Sequence, residues 1–547
     1  MWQTAGPLLL ICAMATVLTL LGLGNNAFWD DEANTALFGR NLIESGRLSA
    51  WDGRNLIGFR QGAELNSHLV NVYMPPVQYY VAALGLKVFG PTTVGGRIPF
   101  VVLGLASILA LGFAVRWHFR RRVNEWLPVL LVALNPAYLM FMRQCRYYAV
   151  VSLLTIVLVA GWFHPKRGTR ALVVGAIVGC GAAVLLMFTN YMNAVAIGFS
   201  MPLLFLVARY RRRQSIVYLA AIYVGLIGAG CYVLLTANPL ALAVSYRSTV
   251  TGLHRLALLF WWHITGLAHF EFFPSVTFPL LLVLWIFQRK RPGNGLVRDA
   301  LIFCGLLVVY SATIVAFSPQ TIDGNTKVAD MRYVVPLVPI GAMATAVVLV
   351  ELRRVRWLGR GLALALAAVL LLSNAFTSAF ANKQPLRSTL LAYVRENLHD
   401  YATGNEVLFR YLRTLPPRQV IRVVPDYMTY PAMFYAPEHH YCCQLSEEHV
   451  VERQLRATLP DYVYLSRVPP EYLLVGGNIT PAQLLYQSML VYGPGRYRLG
   501  PTVGTTYRDC SRPEIPWHCF GPPEDTKQGF LVLELAQREG DRSWRAH

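Results

Sequence analysis

Apolar stretches of bilayer-spanning length alternate with short polar connections over most of the chain. A transmembrane helix needs about 17 to 25 largely apolar residues, and such runs fall near 7–24, 98–116, 126–142, 146–163, 171–189, 193–209, 215–236, 274–288, 299–317, 332–351 and 361–380. The pattern predicts about eleven spans. A further apolar run, Val77 to Phe89, rises only about 20 Å at 1.5 Å per residue, against a hydrocarbon core of ~30 Å. It reads as an interfacial or re-entrant helix. Together with an amphipathic piece at 33–44 it makes 25–97 one long external loop. From about Asn382 the pattern changes to that of a soluble fold. Gln384 to Asn397 has helical periodicity, and Gln419 to Val424, Tyr462 to Leu465 and Phe530 to Leu535 are strand-like.

Composition agrees with a polytopic membrane protein. The 547 residues are 55% hydrophobic and only 14% charged, with a mean hydropathy of +0.41. A net charge of +20 would suit a nucleic-acid partner only if it gathered on a folded soluble surface. Instead the cations sit in short clusters between apolar runs: Arg116 to Arg122, Lys166-Arg167, Arg209 to Arg213, Arg289 to Arg291 and Arg353 to Arg360. Short basic loops mark the cytoplasmic side. That parity puts the amino terminus inside, and loop 25–97, Met142 to Tyr148, Phe188 to Asn193, the loop 237–273, Ser318 to Arg332 and the polar tail outside. The first apolar segment has neither a basic leader nor a small-residue cleavage site and reads as a retained helix. Cys12, Cys145, Cys180, Cys231 and Cys304 lie in or beside apolar runs as inert packing residues, whereas Cys442, Cys443, Cys510 and Cys519 fall in the external tail, where disulfides form. No cysteine or histidine spacing fits zinc. The fold class expected is a polytopic α-helical membrane domain, 1–380, followed by an extracytoplasmic α/β domain, 381–547.

Chemistry concentrates where the first span ends. Asp30-Asp31-Glu32 places three carboxylates at a membrane boundary, followed by a helix-like run to Leu42. Such a cluster is either an acidic helix start or a site. Transfer to a sugar needs a base for the acceptor hydroxyl and cations for an anionic leaving group. Asp31 or Glu32 can supply the first. Arg146, Arg247, Arg255, Lys327 and Arg332 on the outer face can supply the second, or can pair with lipid headgroups.

Several segments carry a resemblance. Asp31-Glu32 with Glu44-Ser45-Gly46, then Met74-Pro75-Pro76-Val77-Gln78-Tyr79-Tyr80, Lys87-Val88-Phe89-Gly90, Gly96-Arg97-Ile98-Pro99, Arg146-Tyr147-Tyr148-Ala149 and Arg332-Tyr333-Val334-Val335-Pro336 together resemble the pattern of GT-C fold, polyprenyl-phosphate-sugar glycosyltransferases. That group includes protein O-mannosyltransferases and lipid A aminoarabinose transferases, and the likeness, to the bacterial branch, spans about residues 7 to 380. The resemblance implies an inverting transfer of one sugar from a polyprenyl-phosphate donor to a lipid, glycan or protein acceptor at the outer face of a bacterial plasma membrane. It makes Asp31 the base, with Glu32 beside it as a helper that orients a cation or the loop. It also assigns the donor phosphate to outward cations, with Arg146, Tyr147, Arg247, Arg255, Lys327 and Arg332 as the substrate-binding set. No cofactor is implied, although the acidic triplet leaves a divalent cation open. The chain departs from the family in having Met74 where aminoarabinose transferases place Lys, and Tyr147-Tyr148 where many members carry a second acid. The rival readings are an oligosaccharyltransferase, polymerase or ligase using a lipid-pyrophosphate glycan, and a lipid or sugar transporter.

Overall fold

The structure, a computed structural model, describes residues 2–58, 65–119, 122–164, 168–207, 213–237, 252–271, 277–288, 295–317, 331–355, 359–373, 375, 388–400, 402–424, 428–441, 459, 469–476, 479–505 and 528–536. The amino-terminal helix α1 (Trp2–Leu20) leads through a turn into α2 (Asp30–Ser45), α3 (Val77–Phe89) and α4 (Thr93–Phe119). Helix α2 begins directly at the acidic triplet. Its N-cap is Trp29, which makes no side-chain cap, so Asp30, Asp31 and Glu32 occupy the first helical turn. Carboxylates there oppose the positive end of the helix dipole. The helix closes at Gly46, whose left-handed backbone (φ 71°) lets its N–H reach the Leu42 carbonyl.

Val77 to Phe89 forms the short helix expected, started behind Pro75-Pro76 and packed between α2 and α4. Close approach requires small residues along this stack. A Cβ on Gly39 would lie 3.0 Å from the Ala83 nitrogen, and one on Gly85 would lie 2.3 Å from the Gly95 carbonyl oxygen.

Each of the other apolar runs contains helix in its described part, but several are not single helices. The 126–142 run splits into α5 (Trp126–Ala133) and α6 (Pro136–Met142). Asn135 caps the second piece by accepting from the Tyr138 N–H at 2.8 Å, and Pro136 cannot continue the first, because it lacks the N–H that a helix interior uses. After α7 (Tyr148–Phe163) and α8 (Gly168–Met187), the 193–209 run becomes α9 (Tyr191–Ser200) and a 3-10 segment, Met201–Leu206, that begins just before Pro202. Next come α10 (Arg213–Thr236), α11 (Gly252–Glu271), α12 (Phe278–Gln288) and α13 (Gly295–Phe317). Helix α11 corrects the expectation of an open loop at 237–273: Leu259 and His263, one turn apart, are buried while Leu253 and Trp261 are exposed, the signature of an amphipathic helix. The 332–351 run opens with 3-10 turns at Met331–Tyr333 and Val335–Leu337, around Pro336, before α14 (Val338–Arg353), which α15 (Gly359–Leu372) follows.

Among the described residues five helices, Thr93–Phe119, Gly168–Met187, Gln214–Thr236, Gly295–Phe317 and the stretch Val335–Arg353, are long and apolar enough to cross a membrane. Shorter apolar helices accompany them. Their outward faces carry Ile177, Val224 and Leu235, each more than half exposed, which suits lipid rather than water as the surrounding solvent. The chain is a multi-pass membrane protein.

The tail contributes α16 (Thr389–Leu398), α17 (Gly404–Leu412), β1 (Val420–Val424), α18 (Thr429–Tyr435), β2 (His440–Tyr441), β3 (Tyr472–Gly476), α19 (Pro481–Tyr492), β4 (Tyr497–Thr505) and β5 (Gln528–Leu535). The strands form one sheet in the order β2-β1-β3-β5-β4. β1 runs parallel to both neighbours, and β5 antiparallel to both of its own. The β4–β5 register shifts between Leu499 and Thr502, at Gly500-Pro501, because proline has no N–H to give the ladder. The strand expected at Tyr462 to Leu465 and the four tail cysteines lie outside the described residues. Cys12, Cys145, Cys180, Cys231 and Cys304 are free thiols.

Tail and membrane part are fastened together. Tyr393 donates to the Leu18 carbonyl at 2.9 Å, and Arg143 donates to Asn397 at 2.6 Å and to the Gly22 carbonyl at 2.7 Å. Approach at this seam is so close that a Cβ on Gly22 would lie 2.1 Å from the Asn397 carbonyl oxygen.

Candidate active site

Three segments distant in sequence meet at the first turn of α2. The Asp31 carboxylate accepts a hydrogen bond from Arg332 Nη1 through Oδ2, and its Oδ1 lies 3.4 Å from Arg146 Nη2. Arg146 is delivered by the turn between α6 and α7, where its Nη1 also donates to the Asp31 carbonyl at 3.1 Å and to Thr35 Oγ1 at 2.9 Å. Arg332 sits in the 3-10 turn ahead of α14. The next residue's carbonyl, Tyr333 O, accepts from Asn193 Nδ2 at 2.6 Å, which ties that turn to the start of α9.

Exposure separates these groups. Arg146 is 1% accessible at its side chain, whereas Asp31 and Arg332 are 18% and 21% accessible. One carboxylate therefore lies between two guanidiniums at the edge of a buried region. Arg146 also lies over the Tyr147 ring, 5.6 Å from its centroid, and Arg332 over the Tyr333 ring at 5.8 Å. Two buried polar atoms here, Arg146 Nε and the Tyr147 hydroxyl, have no hydrogen-bond partner among the described residues. Native proteins rarely leave such groups unmatched, and unmatched groups mark places where a ligand or water completes the set.

Glu32 faces the other way. Its side chain is fully buried and receives Arg97 Nε at 2.8 Å and Arg97 Nη2 at 2.7 Å. The Cys145 N–H donates to the same carboxylate at 2.8 Å. Arg97 in turn donates to the Leu23 and Asn26 carbonyls at 2.9 and 3.0 Å. Helical geometry explains the division, since successive residues project about 100° apart: Asp31 points to the accessible cluster and Glu32 into the seam between α2 and α4. The catalytic part expected of Glu32 meets a carboxylate with both oxygens already engaged.

Of the substrate-binding set, the structure brings Arg146, Tyr147 and Arg332 together around Asp31. Arg255 lies on α11, which packs against the Met331–Tyr333 turn that carries Arg332. Arg247 and Lys327 lie outside the described residues. Arg97, Thr35 and Asn193 were not among the expected site residues. Arg97 carried a signal nonetheless, as an arginine at a membrane boundary beside Gly96. Among the described residues no group of three or more His, Cys, Asp or Glu is gathered that could hold a metal ion.

Known structures show the same architecture. ArnT from Cupriavidus metallidurans in the apo state superposes with a TM-score of 0.57 at 15% identity, covering 96% of this chain and 98% of that one. Its complex with undecaprenyl phosphate gives 0.56 at 15% identity, with the same coverage. The archaeal oligosaccharyltransferase AglB from Archaeoglobus fulgidus, in complex with an inhibitory peptide and a dolichol-phosphate, gives 0.52 at 9% identity over 90% of this chain and 71% of that one. The chain has the GT-C glycosyltransferase fold. No protein-family model and no curated protein matches the sequence. In this GT-C chain the acidic helix start and the two arginines converge at one partly accessible point, an arrangement able to bind an anion and to receive a proton beside it.

Proposed function

We propose that the chain is an inverting glycosyltransferase that moves a single sugar from a polyprenyl-phosphate donor to a lipid, glycan or protein acceptor. The observation that carries the proposal is the Asp31 carboxylate held between Arg146 and Arg332. The GT-C fold supports it, since one structure of that fold is bound to undecaprenyl phosphate and another to a dolichol-phosphate. The site and the tail, in a 1–380 and 381–547 division, face the outside of a bacterial plasma membrane, as the distribution of basic loops indicates.

In this mechanism the donor phosphate binds Arg332 and Arg146, with the unmatched Arg146 Nε and Tyr147 hydroxyl as further donors. Asp31 removes the proton of the acceptor hydroxyl, whose oxygen forms the new bond to the anomeric carbon from the face opposite the phosphate. The bond between that carbon and the phosphate oxygen breaks, and its electron pair leaves with polyprenyl phosphate, whose charge the guanidiniums offset. Inversion follows because Glu32 is held by Arg97 and is not placed to act as a second carboxylate nucleophile.

Asp31→Asn removes the base while preserving shape. Purified in detergent, the variant is expected to fold and bind donor while transferring sugar at least about a hundredfold more slowly, the usual scale of a lost general base. Transfer at the wild-type rate would dismiss Asp31 from the chemistry. Arg332→Ala is expected to weaken donor binding; unchanged donor affinity would remove Arg332 from the phosphate site.

A further inference from the structure

The chain just ahead of the acidic helix start is held by the tail. The Ala27 N–H donates to Glu406 Oε1 at 3.2 Å, and the Phe28 N–H donates to the Tyr435 hydroxyl at 2.8 Å. That hydroxyl also shares a 2.7 Å hydrogen bond with Thr93 Oγ1 at the start of α4. Burial pushes the Tyr435 phenol up from its ordinary value, so the group is neutral and able both to accept and to donate. Glu406 is fixed in its own right, because it completes a capping box with Thr403 at the start of α17.

The side chain of Phe28 is clamped between the two halves of the molecule. Its ring meets Phe434 edge-on at 5.0 Å and lies 6.0 Å from Tyr435, which is stacked on Phe409 at 4.8 Å. From the membrane part, Arg97 of α4 lies over the same ring, 5.5 Å from its centroid. Gly96 leaves room for that ring, since a Cβ there would lie 2.6 Å from Phe28 Cζ. Arg97 is the residue that grips Glu32, the immediate neighbour of Asp31.

We infer that the tail helices α17 and α18 are a positioning device for the Asp31 carboxylate, with Tyr435 as its chief positioning residue; this rests on the reading of Asp31 as the base. Physical continuity runs from the tail to the carboxylate. Tyr435 and Glu406 fix two successive amides, Ala27 and Phe28, directly before the helix N-cap at Trp29. These set the direction in which the chain enters α2, and with it where the second helical residue projects. Trp29 completes the hold, as its indole N–H donates to Gln144 at 2.7 Å, in the same turn that carries Arg146. The tail thereby serves the chemistry without supplying a group that touches the substrate.

The test separates positioning from folding. Tyr435→Phe keeps the ring stack on Phe409 and removes the oxygen that receives the Phe28 N–H. Full-length protein in detergent is expected to lose about tenfold to a hundredfold in kcat, the scale of a misplaced reactive group. Its donor Kd should stay within about twofold and its thermal transition should be retained, because a phenol hydroxyl contributes far less than the ring. Thr93→Val, which removes the other partner of that hydroxyl, should lower kcat in the same sense, and the double variant should be no worse than Tyr435→Phe alone, as coupled neighbours behave. Wild-type kcat in Tyr435→Phe, or a loss carried by donor affinity, would overturn the inference. Should Tyr435→Phe not fold, Thr93→Val alone decides by the same split between kcat and donor Kd. Asp31→Asn measured in parallel distinguishes the two failures. An active Asp31→Asn refutes the base; an inactive one beside a fully active Tyr435→Phe refutes only the positioning.

Discussion

At Asp31 and Glu32 two adjacent carboxylates have opposite surroundings. Glu32 and Arg97 form a buried pair whose mutual attraction offsets desolvation only while both are present. Removing one partner leaves an uncompensated charge. Glu32→Gln is therefore expected to cost about 3–5 kcal/mol of stability, read as a lowered thermal transition in detergent. The paired replacement Glu32→Leu with Arg97→Leu should recover part of that loss. An equally stable but inactive Glu32→Gln would instead return Glu32 to the catalytic pair. The sequence offers Arg146 and Arg332 as outer-face cations and Asp31 as one of three boundary carboxylates; singling out Asp31 as the base took the resemblance to a family. Neither pairs Arg97 with Glu32, since the two meet only through packing of α2 against α4 and nothing local records that contact. The triplet is an acidic helix start as well: all three acids occupy the first turn of α2, behind Trp29 as the cap residue.

Elements were legible where hydrophobic period and length agree. Val77 to Phe89 reads directly as a short helix, and β1 and β5 appear where branched apolar residues alternate between turn signals. The break at Asn135-Pro136 was written in the sequence as a cap followed by a proline, but the apolar run across it masks the signal. β3 and β4 were missed because neither has a clear period, β3 carrying adjacent leucines and ending on a glycine and β4 being interrupted at Gly500-Pro501. The junction of β2 with the external loop makes a pH prediction. Asn55 donates to the His439 carbonyl at 3.0 Å and accepts from the Tyr441 N–H at 2.8 Å. The His439 ring is buried, with Nε2 2.9 Å from the Leu412 carbonyl oxygen. Burial holds the imidazole below its ordinary 6.5, although the Leu412 carbonyl and Glu438 work in the opposite direction. The folded protein thus keeps a neutral ring while the unfolded chain takes a proton. Stability from this group is fully present above about pH 6.5 and falls as pH drops toward the folded-state value. The thermal transition should decline over that interval, and His439→Gln should flatten the decline. A slope unchanged in the variant would assign it elsewhere.

On the scale of the whole molecule, three sequence-distant segments build one charge cluster, so the relation between base and anion site is set by the fold and not by any local motif. Asp31 and a donor phosphate would use the same two guanidiniums. While Arg332 and Arg146 occupy its two oxygens, the Asp31 carboxylate has few lone pairs left to offer an acceptor hydroxyl. A phosphate taking those contacts would release Asp31 to accept a proton, which makes donor binding the first step and acceptor activation the second. The competition has a sign that binding alone can read. Replacing Asp31 with Asn removes the anion that occupies Arg332, so the inactive variant should bind the polyprenyl-phosphate sugar more tightly than the wild type, by about tenfold, or about 1.4 kcal/mol. Titration calorimetry with the donor, on both proteins in the same detergent, measures the difference. Weaker or equal binding by Asp31→Asn would mean that the phosphate does not displace the carboxylate, and the ordered scheme would fall even if Asp31 remained the base.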